Sequence, residues 1–112
     1  MILPAPDVRI VLSTAGSREE AERLAHFLVE QHLAACVNLV PGVQSVYRWQ
    51  GAVESAPEVL LLVKTTAANL ERLESALRRL HSYQVPEFLV LHLESSGENY
   101  LEWLRSTVIV PK

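Results

Sequence analysis

The chain has a single cysteine, Cys36, so no disulfide can close within it, and a compartment that keeps thiols reduced is the default expectation. It has no excess of basic charge: 10 Lys and Arg against 13 Asp and Glu leave a net charge of -3 and a pI near 5.8. Nucleic-acid binders ordinarily show a basic stripe, whereas Lys and Arg are scattered here, so no such partner is expected. Long apolar runs are missing too. The run Val59 to Val63 falls far short of the roughly 20 residues that cross a bilayer, and no membrane partner is expected. The start, MILPAPDVRI, has neither the basic segment nor the sustained apolar segment of a secretory signal, which makes the cytoplasm the expected location. Glycines number only four, and no GxGxxG, P-loop or GxSxG occurs, so nucleotide-loop and serine-hydrolase chemistry have no local motif.

What the chain does have is apolar surface. Its hydrophobic fraction is 49% and its mean hydropathy +0.15, within 112 residues that suffice for one domain, 1–112, and hardly two. The surplus must be buried somewhere, and contact with identical subunits is the simplest place, since most soluble oligomers are symmetric homo-oligomers.

The elements follow one another with short breaks. Asp7 to Thr14 alternates Val8, Ile10 and Leu12 against Arg9, Val11 and Ser13, a strand buried on at least one face. Ser17-Arg18-Glu19-Glu20 has the form of a capping box, with Glu20 able to reach back to a free backbone N–H. A helix to about His32 follows, with Ala21, Leu24, Ala25, Leu28 and Val29 on one face. The stretch ACVNLVPGVQSVYRWQGAVE, ending at Glu54, reads as a hairpin turning near Gln50-Gly51. Its first arm is about fifteen residues, or roughly 50 Å, against about five or six for an ordinary strand. Pro41-Gly42 suits a bulge or kink, and Ala56-Pro57 interrupts the return arm, Ala52 to Thr65, so that the two arms are expected to bend together. Asn69 to His81 is an amphipathic helix on Leu70, Leu73, Leu77 and Leu80, with Asn69 as N-cap. Phe88 to Leu93 is a buried strand, Ser96-Gly97-Glu98 opens a short helix, and the tail STVIVPK is a candidate edge segment. The order is that of the split βαβ, or ferredoxin-like, α+β fold: an antiparallel sheet with both helices on one face. The other face is left without cover, which again predicts self-association.

No local metal constellation stands out, because His26, His32, His81, His92 and Cys36 show no HxxxH or CxxC spacing. His26 and His32, six apart, do not share a helix face, and His92 alternates on a strand. Cys36 lies in LAACVNL, an apolar context that predicts a buried, inert thiol. His81 ends a helix, where an imidazole can simply cap carbonyls, but Tyr83 and Glu87 follow it in one loop. Tyr47 and Trp49 share a face near the hairpin tip, which predicts an interface. Lys64 is expected to meet Glu58 or Glu87 in an ion pair. A nucleophile would have to be assembled from Ser13, Thr65 or Cys36 with a distant histidine, so catalysis is not expected.

With ACVNLVPGVQSVYRWQGAVE, followed by EVLLLVKT, HSYQVPE and YLEWL, nearly the whole chain resembles the CutA family of divalent-cation tolerance proteins. The resemblance implies a ferredoxin-like subunit with a long extended hairpin and an added C-terminal helix, a homotrimer similar in architecture to the PII signalling proteins, and a non-enzymatic role in copper or other divalent-cation tolerance. In copper-binding members the ligands are a first-strand cysteine and two adjacent histidines. The matching positions here are Ser13 and Leu80-His81, so His81 alone is retained as a metal-ligand candidate, and copper or another divalent cation is the only cofactor implied. The resemblance also implies an inter-subunit cleft of Trp49, Glu58, Lys64, His81, Tyr83, Glu87 and Tyr100, and an oligomer-forming hairpin marked by Pro41, Gly42, Tyr47 and Trp49. Such a cleft, with a lysine, carboxylates and aromatics, is expected to take a small anionic ligand or a metal complex. The alternative reading is a PII-like signalling module whose ligand is a small metabolite or a partner protein. A hydrolase built on His81, Tyr83 and Glu87 ranks last.

Overall fold

In the computed structural model, which describes residues 1–108, the chain runs β1 (Ile2–Pro4), β2 (Val8–Ala15), α1 (Arg18–Glu30), β3 (Cys36–Trp49), β4 (Ala52–Thr66), a 3-10 turn at Ala67–Asn69, α2 (Leu70–Leu80), β5 (Leu89–His92), β6 (Ser95–Gly97) and α3 (Glu98–Thr107). The architecture is mixed α+β. Four strands form one antiparallel sheet in the order β3-β4-β2-β5, and β1 pairs with β6 in a small second sheet. Among the described residues no helix is long and apolar enough to cross a membrane.

Strand alternation decides what each face of the sheet does. Val11, Ser13 and Ala15 of β2 point to one side beside Val59, Leu61 and Val63 of β4 and are buried there. Leu24 and Leu28 of α1 and Leu73 and Leu77 of α2 close over this side in a single apolar cluster, each such leucine contributing about 1.5–3 kcal/mol by burial. The two helices thus share a face, as the apolar spacing predicts. The opposite face carries Ile10, Leu12, Leu60 and Leu62, all half-buried, with Leu89 and Leu91 directly across from Leu12 and Ile10 and 53% and 45% exposed. The expectation that nothing in the chain covers this face needs one correction. At its Val8 end, Leu101 and Leu104 of α3 pack on Val8, Ala5 and Ala35, and Arg105 grips Asp7 through two hydrogen bonds of 2.8 and 2.6 Å.

Several ends differ from the sequence reading. Helix α1 stops at Glu30, because His32 adopts the left-handed conformation (φ 57°) and the His32 and Leu33 amides return to the Val29 and Leu28 carbonyls. Asn69 precedes α2 but makes no side-chain cap, its amide donating to Thr66 Oγ1 at 2.9 Å. Ser96-Gly97-Glu98 does open a helix, with Gly97 as N-cap and Glu98 its first residue, but Ser95–Gly97 also pairs with β1, a contact that no local signal announces. Of the expected edge segment in the tail, Ser106 and Thr107 are the last turn of α3 and 109–112 lie outside the described residues.

The hairpin has the expected length. It turns at Gln50 and Gly51, both left-handed (φ 49° and 82°), the backbone that matches the twist of two paired strands. Register shifts between Val40 and Val43, so Pro41 and Gly42 together face one residue of β4. Ala56-Pro57, by contrast, does not interrupt pairing: Ala56 faces Ser45 and Pro57 faces Gln44. The missing N–H of Pro57 has no donor role on the far side, because β2 ends at the Ala15–Val59 pair and β4 beyond it is an edge. From Glu58 to the turn the hairpin is a two-stranded ribbon projecting roughly 23 Å past the sheet at about 3.3 Å per residue.

Gly42 has φ 76° and open space where a Cβ would go, whereas Gly97 lacks the left-handed backbone. Gly42→Ala should therefore destabilise the protein by about 1 kcal/mol through backbone strain alone, and Gly97→Ala much less. Thermal unfolding of the two variants checks the difference.

Candidate functional site

The site grows from the start of α1. Ser17 Oγ accepts from the Glu20 N–H at 3.1 Å, the first half of a capping box. The second half does not form. Glu20 is buried, and its carboxylate accepts instead from Ser82, at 2.7 Å from the backbone N–H and 2.9 Å from the hydroxyl, pinning the loop after α2 to the front of α1. Burial works to raise its pKa, but the Ser82 hydrogen bonds outweigh this, with help from His81 and Arg23, and the carboxyl titrates below its ordinary value.

His81 lies at the bottom of this loop, its side chain fully buried. Its Nε2 is 2.7 Å from the Thr14 carbonyl, which can only accept, so Nε2 carries the proton. Its Nδ1 accepts from the Tyr83 N–H at 3.0 Å. The ring is thus a bridge between the end of β2 and the loop. Tyr83 stacks obliquely on it, ring centroids 4.6 Å apart, and passes so close to Gly16 that a Cβ there would lie 3.0 Å from the phenol oxygen. The phenol donates to Glu58 Oε2 at 2.7 Å, and burial followed by this carboxylate raises its pKa, which keeps it a donor. Ser13 Oγ donates to the Glu87 carbonyl at 2.7 Å. The Glu87 side chain titrates above its usual range, first because it is desolvated and then because of the charge on Glu58.

These groups form one wall of a cleft of about 690 Å³, with the ribbon as the other wall: Tyr47, Trp49 and Glu54 beside Glu58, opposite Tyr83 and Glu87. Within one chain the residues expected to share a cleft therefore separate. Trp49, Glu58, Tyr83 and Glu87 come together with His81 behind Tyr83. Lys64 and Tyr100 line a smaller depression of about 180 Å³ against α3, where the Lys64 ammonium sits 5.7 Å from the Tyr100 ring centre. The expected Lys64–Glu58 pair is not made, since six residues of strand, roughly 20 Å, separate the two. Lys64 forms no ion pair with Glu87 either.

The other candidates are scattered. His26 is exposed beside Glu30, His32 is exposed with Nδ1 3.1 Å from the Thr107 carbonyl, and His92 is on the edge strand β5. Cys36 is half-buried rather than buried, because it faces away from α1 and α2, opposite Lys64. Among the described residues no group of three or more His, Cys, Asp or Glu converges as metal ligands would. The positions implied for copper do not fit that ion as they stand: Ser13 presents a hydroxyl already committed to Glu87, Leu80 has no donor atom, and both nitrogens of His81 are engaged.

The family model for the CutA1 divalent ion tolerance protein matches residues 9–107. The chain belongs to the CutA family. It is similar to the divalent-cation tolerance protein CutA of Thermus thermophilus, 49% identical over 96 residues that make up 86% of this chain and 93% of that protein. It is also similar to the chloroplastic protein CutA of Arabidopsis thaliana, 43% identical over 88% of this chain but only 54% of that longer protein. The solved structure of CutA from Synechococcus elongatus superposes with a TM-score of 0.93 at 40% identity, covering 97% of this chain and 96% of that one. CutA proteins are named for divalent-cation tolerance, not for a catalysed reaction.

Three residues of this CutA site escaped sequence reasoning. Glu20 looked like a local cap, and the sequence gives Gly16 and Glu54 no role of their own. Only Glu20 carried a signal, a carboxylate placed to accept two hydrogen bonds, and its partner lies 62 residues away.

Glu20 stabilises the fold only while ionised. Since its folded pKa is lowered, that contribution is complete above the ordinary value of 4.5 and is lost as pH falls from there through the folded pKa. Glu20→Gln should cost about 1–2 kcal/mol at pH 7 and leave a shallower acid limb, measured by urea unfolding between pH 7 and 3. Asp7, lowered chiefly by its Arg105 hydrogen bonds, supplies the part of the limb that remains.

Proposed function

We propose that the chain works as a cytoplasmic homotrimer in divalent-cation, including copper, tolerance, binding the ions weakly and turning over no substrate. Family membership supports the tolerance role, and the apolar sheet face left half-covered is the observation that carries the assembly. That face, with Leu89 and Leu91 about half exposed, is more apolar than a solvated sheet face needs to be. The order β3-β4-β2-β5 with α1 and α2 on one side supports reading the single domain as ferredoxin-like. The projecting ribbon and the bare face are different surfaces, and contact between unlike surfaces gives a ring where the rotation closes, not a two-fold dimer; the number three is what the family resemblance implies. Weak binding follows from a His81 whose nitrogens are both occupied, leaving exposed His26, His32 and His92 as the accessible imidazoles.

A second reading, a PII-like module that binds a small metabolite or a partner protein, is favoured by the cleft itself, whose roughly 690 Å³ lies within the usual range of small-molecule sites. On that reading metal tolerance is an indirect effect of the ligand.

Light scattering at micromolar concentration should give three times the 12.5 kDa chain mass, and Leu62→Glu on the bare face should shift the protein towards monomers with its helical circular dichroism retained. A monomeric parent protein would remove the basis for the assembly. Copper titration should show only weak uptake that His81→Ala does not change. A stoichiometric site filled at micromolar copper and abolished in His81→Ala would overturn weak binding and make His81 a ligand.

A further inference from the structure

The ring of His81 is fully buried, and the groups bonded to it belong to its own chain. A neighbouring copy can add cover to the outside of the loop after α2, but it cannot reach this ring or change its partners. Those partners require one protonation state. Nε2 donates to the Thr14 carbonyl at 2.7 Å, so the proton is on that nitrogen, and Nδ1 has to present its lone pair to the Tyr83 N–H at 3.0 Å. A second proton, on Nδ1, would set an N–H against an N–H. The acceptor within reach of it is Glu20, whose Oε2 is 3.7 Å from Nδ1 and accepts at 2.7 Å from the Ser82 N–H. One nitrogen thus has two mutually exclusive partners: the Tyr83 amide when the ring is neutral and the Glu20 carboxylate when it is charged.

We propose that His81 is a proton-operated latch on the loop of residues 82–86: the neutral ring holds Tyr83 against Glu58, and the protonated ring exchanges the Tyr83 amide for Glu20 and releases the loop. Histidine is the side chain whose charge ordinarily changes between about pH 5 and 8. The effect reaches the ribbon because the Tyr83 phenol donates to Glu58 of β4 at 2.7 Å, and an amide turned away from Nδ1 takes its own side chain with it. The surrounding charges fit this direction. From α1, Glu20 faces the ring, with the Arg23 guanidinium 3.9 Å from the same carboxylate. Glu20 is ionised throughout that range, because the Ser82 hydrogen bonds outweigh burial and keep its carboxyl below the ordinary 4.5. From β4, Glu58 lies beyond the Tyr83 phenol, and in the loop Glu87 titrates above its usual range through desolvation and the charge on Glu58. Strand β2 contributes the Ser13 hydroxyl and the Thr14 carbonyl, neither of which titrates. On α2 itself Arg78 is paired with Glu74 and, like Arg79, exposed. The latch works inside one chain and does not depend on what the cleft binds or on how many subunits assemble.

The test follows the full chain by NMR from pH 8 to pH 5, with EDTA present so that metal uptake cannot stand in for protonation. Two signals are read: the His81 ring nitrogens, and the protection of the Tyr83 amide against hydrogen exchange after correction for the intrinsic effect of pH. At pH 8 the ring should be the Nε2–H tautomer and the amide protected. As Nδ1 gains its proton, protection should fall by about tenfold with the same midpoint, the loss of one hydrogen bond, while the Val11 amide in the centre of the sheet keeps its own. His81→Gln, whose amide can donate to Thr14 and accept from Tyr83 but takes up no proton, should keep the loop docked and show no step. Should that variant not fold, Glu20→Gln serves in its place: without a carboxylate to receive the proton, the ring's midpoint should drop by about one pH unit. A ring that stays neutral down to pH 5, or one that titrates while Tyr83 protection stays level, would overturn the latch. An unmoved midpoint in Glu20→Gln would overturn the exchange of partners on which it rests. The same step in His81→Gln, abolished only by Glu87→Gln, would make Glu87 the sensor and sink the assignment to His81.

Discussion

Strand β4 is asked to do two things at once, and most of the molecule follows from how it does them. Over Val59 to Thr66 it is a central strand, paired on both edges and buried on one face under two helices. Over Ala52 to Glu58 it has lost β2 and keeps only β3, so the same continuous strand becomes half of an exposed ribbon. A two-stranded ribbon has no interior and is marginal in water by itself. Rooting it in a fully hydrogen-bonded sheet supplies the rigidity that its own contacts do not, and lets it carry Val46 and Val53, 70% and 63% exposed, well away from the core.

The loop after α2 is held by an equivalent economy. One buried carboxylate, one buried imidazole and one serine hydroxyl from distant segments satisfy its backbone, and no buried side-chain polar atom among the described residues is left without a partner. Burying Glu20 and His81 without such partners would cost several kcal/mol. With them in place Tyr83 has a fixed position over Gly16, and its phenol arrives at Glu58 without further adjustment. The shape of the cleft wall is thus set by how the loop is tied down.

Local patterning made the frame legible. Alternation in Val8 to Ala15, the leucines of α2, the Gln50-Gly51 turn and the Pro41-Gly42 bulge all act over a few residues, and each was readable before any coordinates. The pairing of β1 with β6 was not, because Ile2–Pro4 is too short to alternate and its partner looked like a helix start. The fate of Ala56-Pro57 depended on where a different strand, β2, happens to end. The same limit applied to the cleft. His81, Tyr83 and Glu87 are near in sequence and stay near in space, whereas Lys64 was grouped with Glu58 by chemistry alone, and the length of the strand between them keeps them apart.

The bulge at Pro41-Gly42 has a consequence for which side chains the ribbon offers the cleft. Before it, odd-numbered residues of β3 face odd-numbered residues of β4, as Leu39 faces Leu61; after it, odd faces even, as Tyr47 faces Glu54. One extra residue therefore inverts the phase of the outer arm, bringing the aromatic set of Tyr47 and Trp49 onto the side that holds Glu54 and Glu58. Were the count even, Arg48 would share the side of the ribbon that holds Glu54 and Glu58, and a guanidinium would stand beside those carboxylates. The sign of the cleft is thus set by the parity of a single insertion some distance away from it.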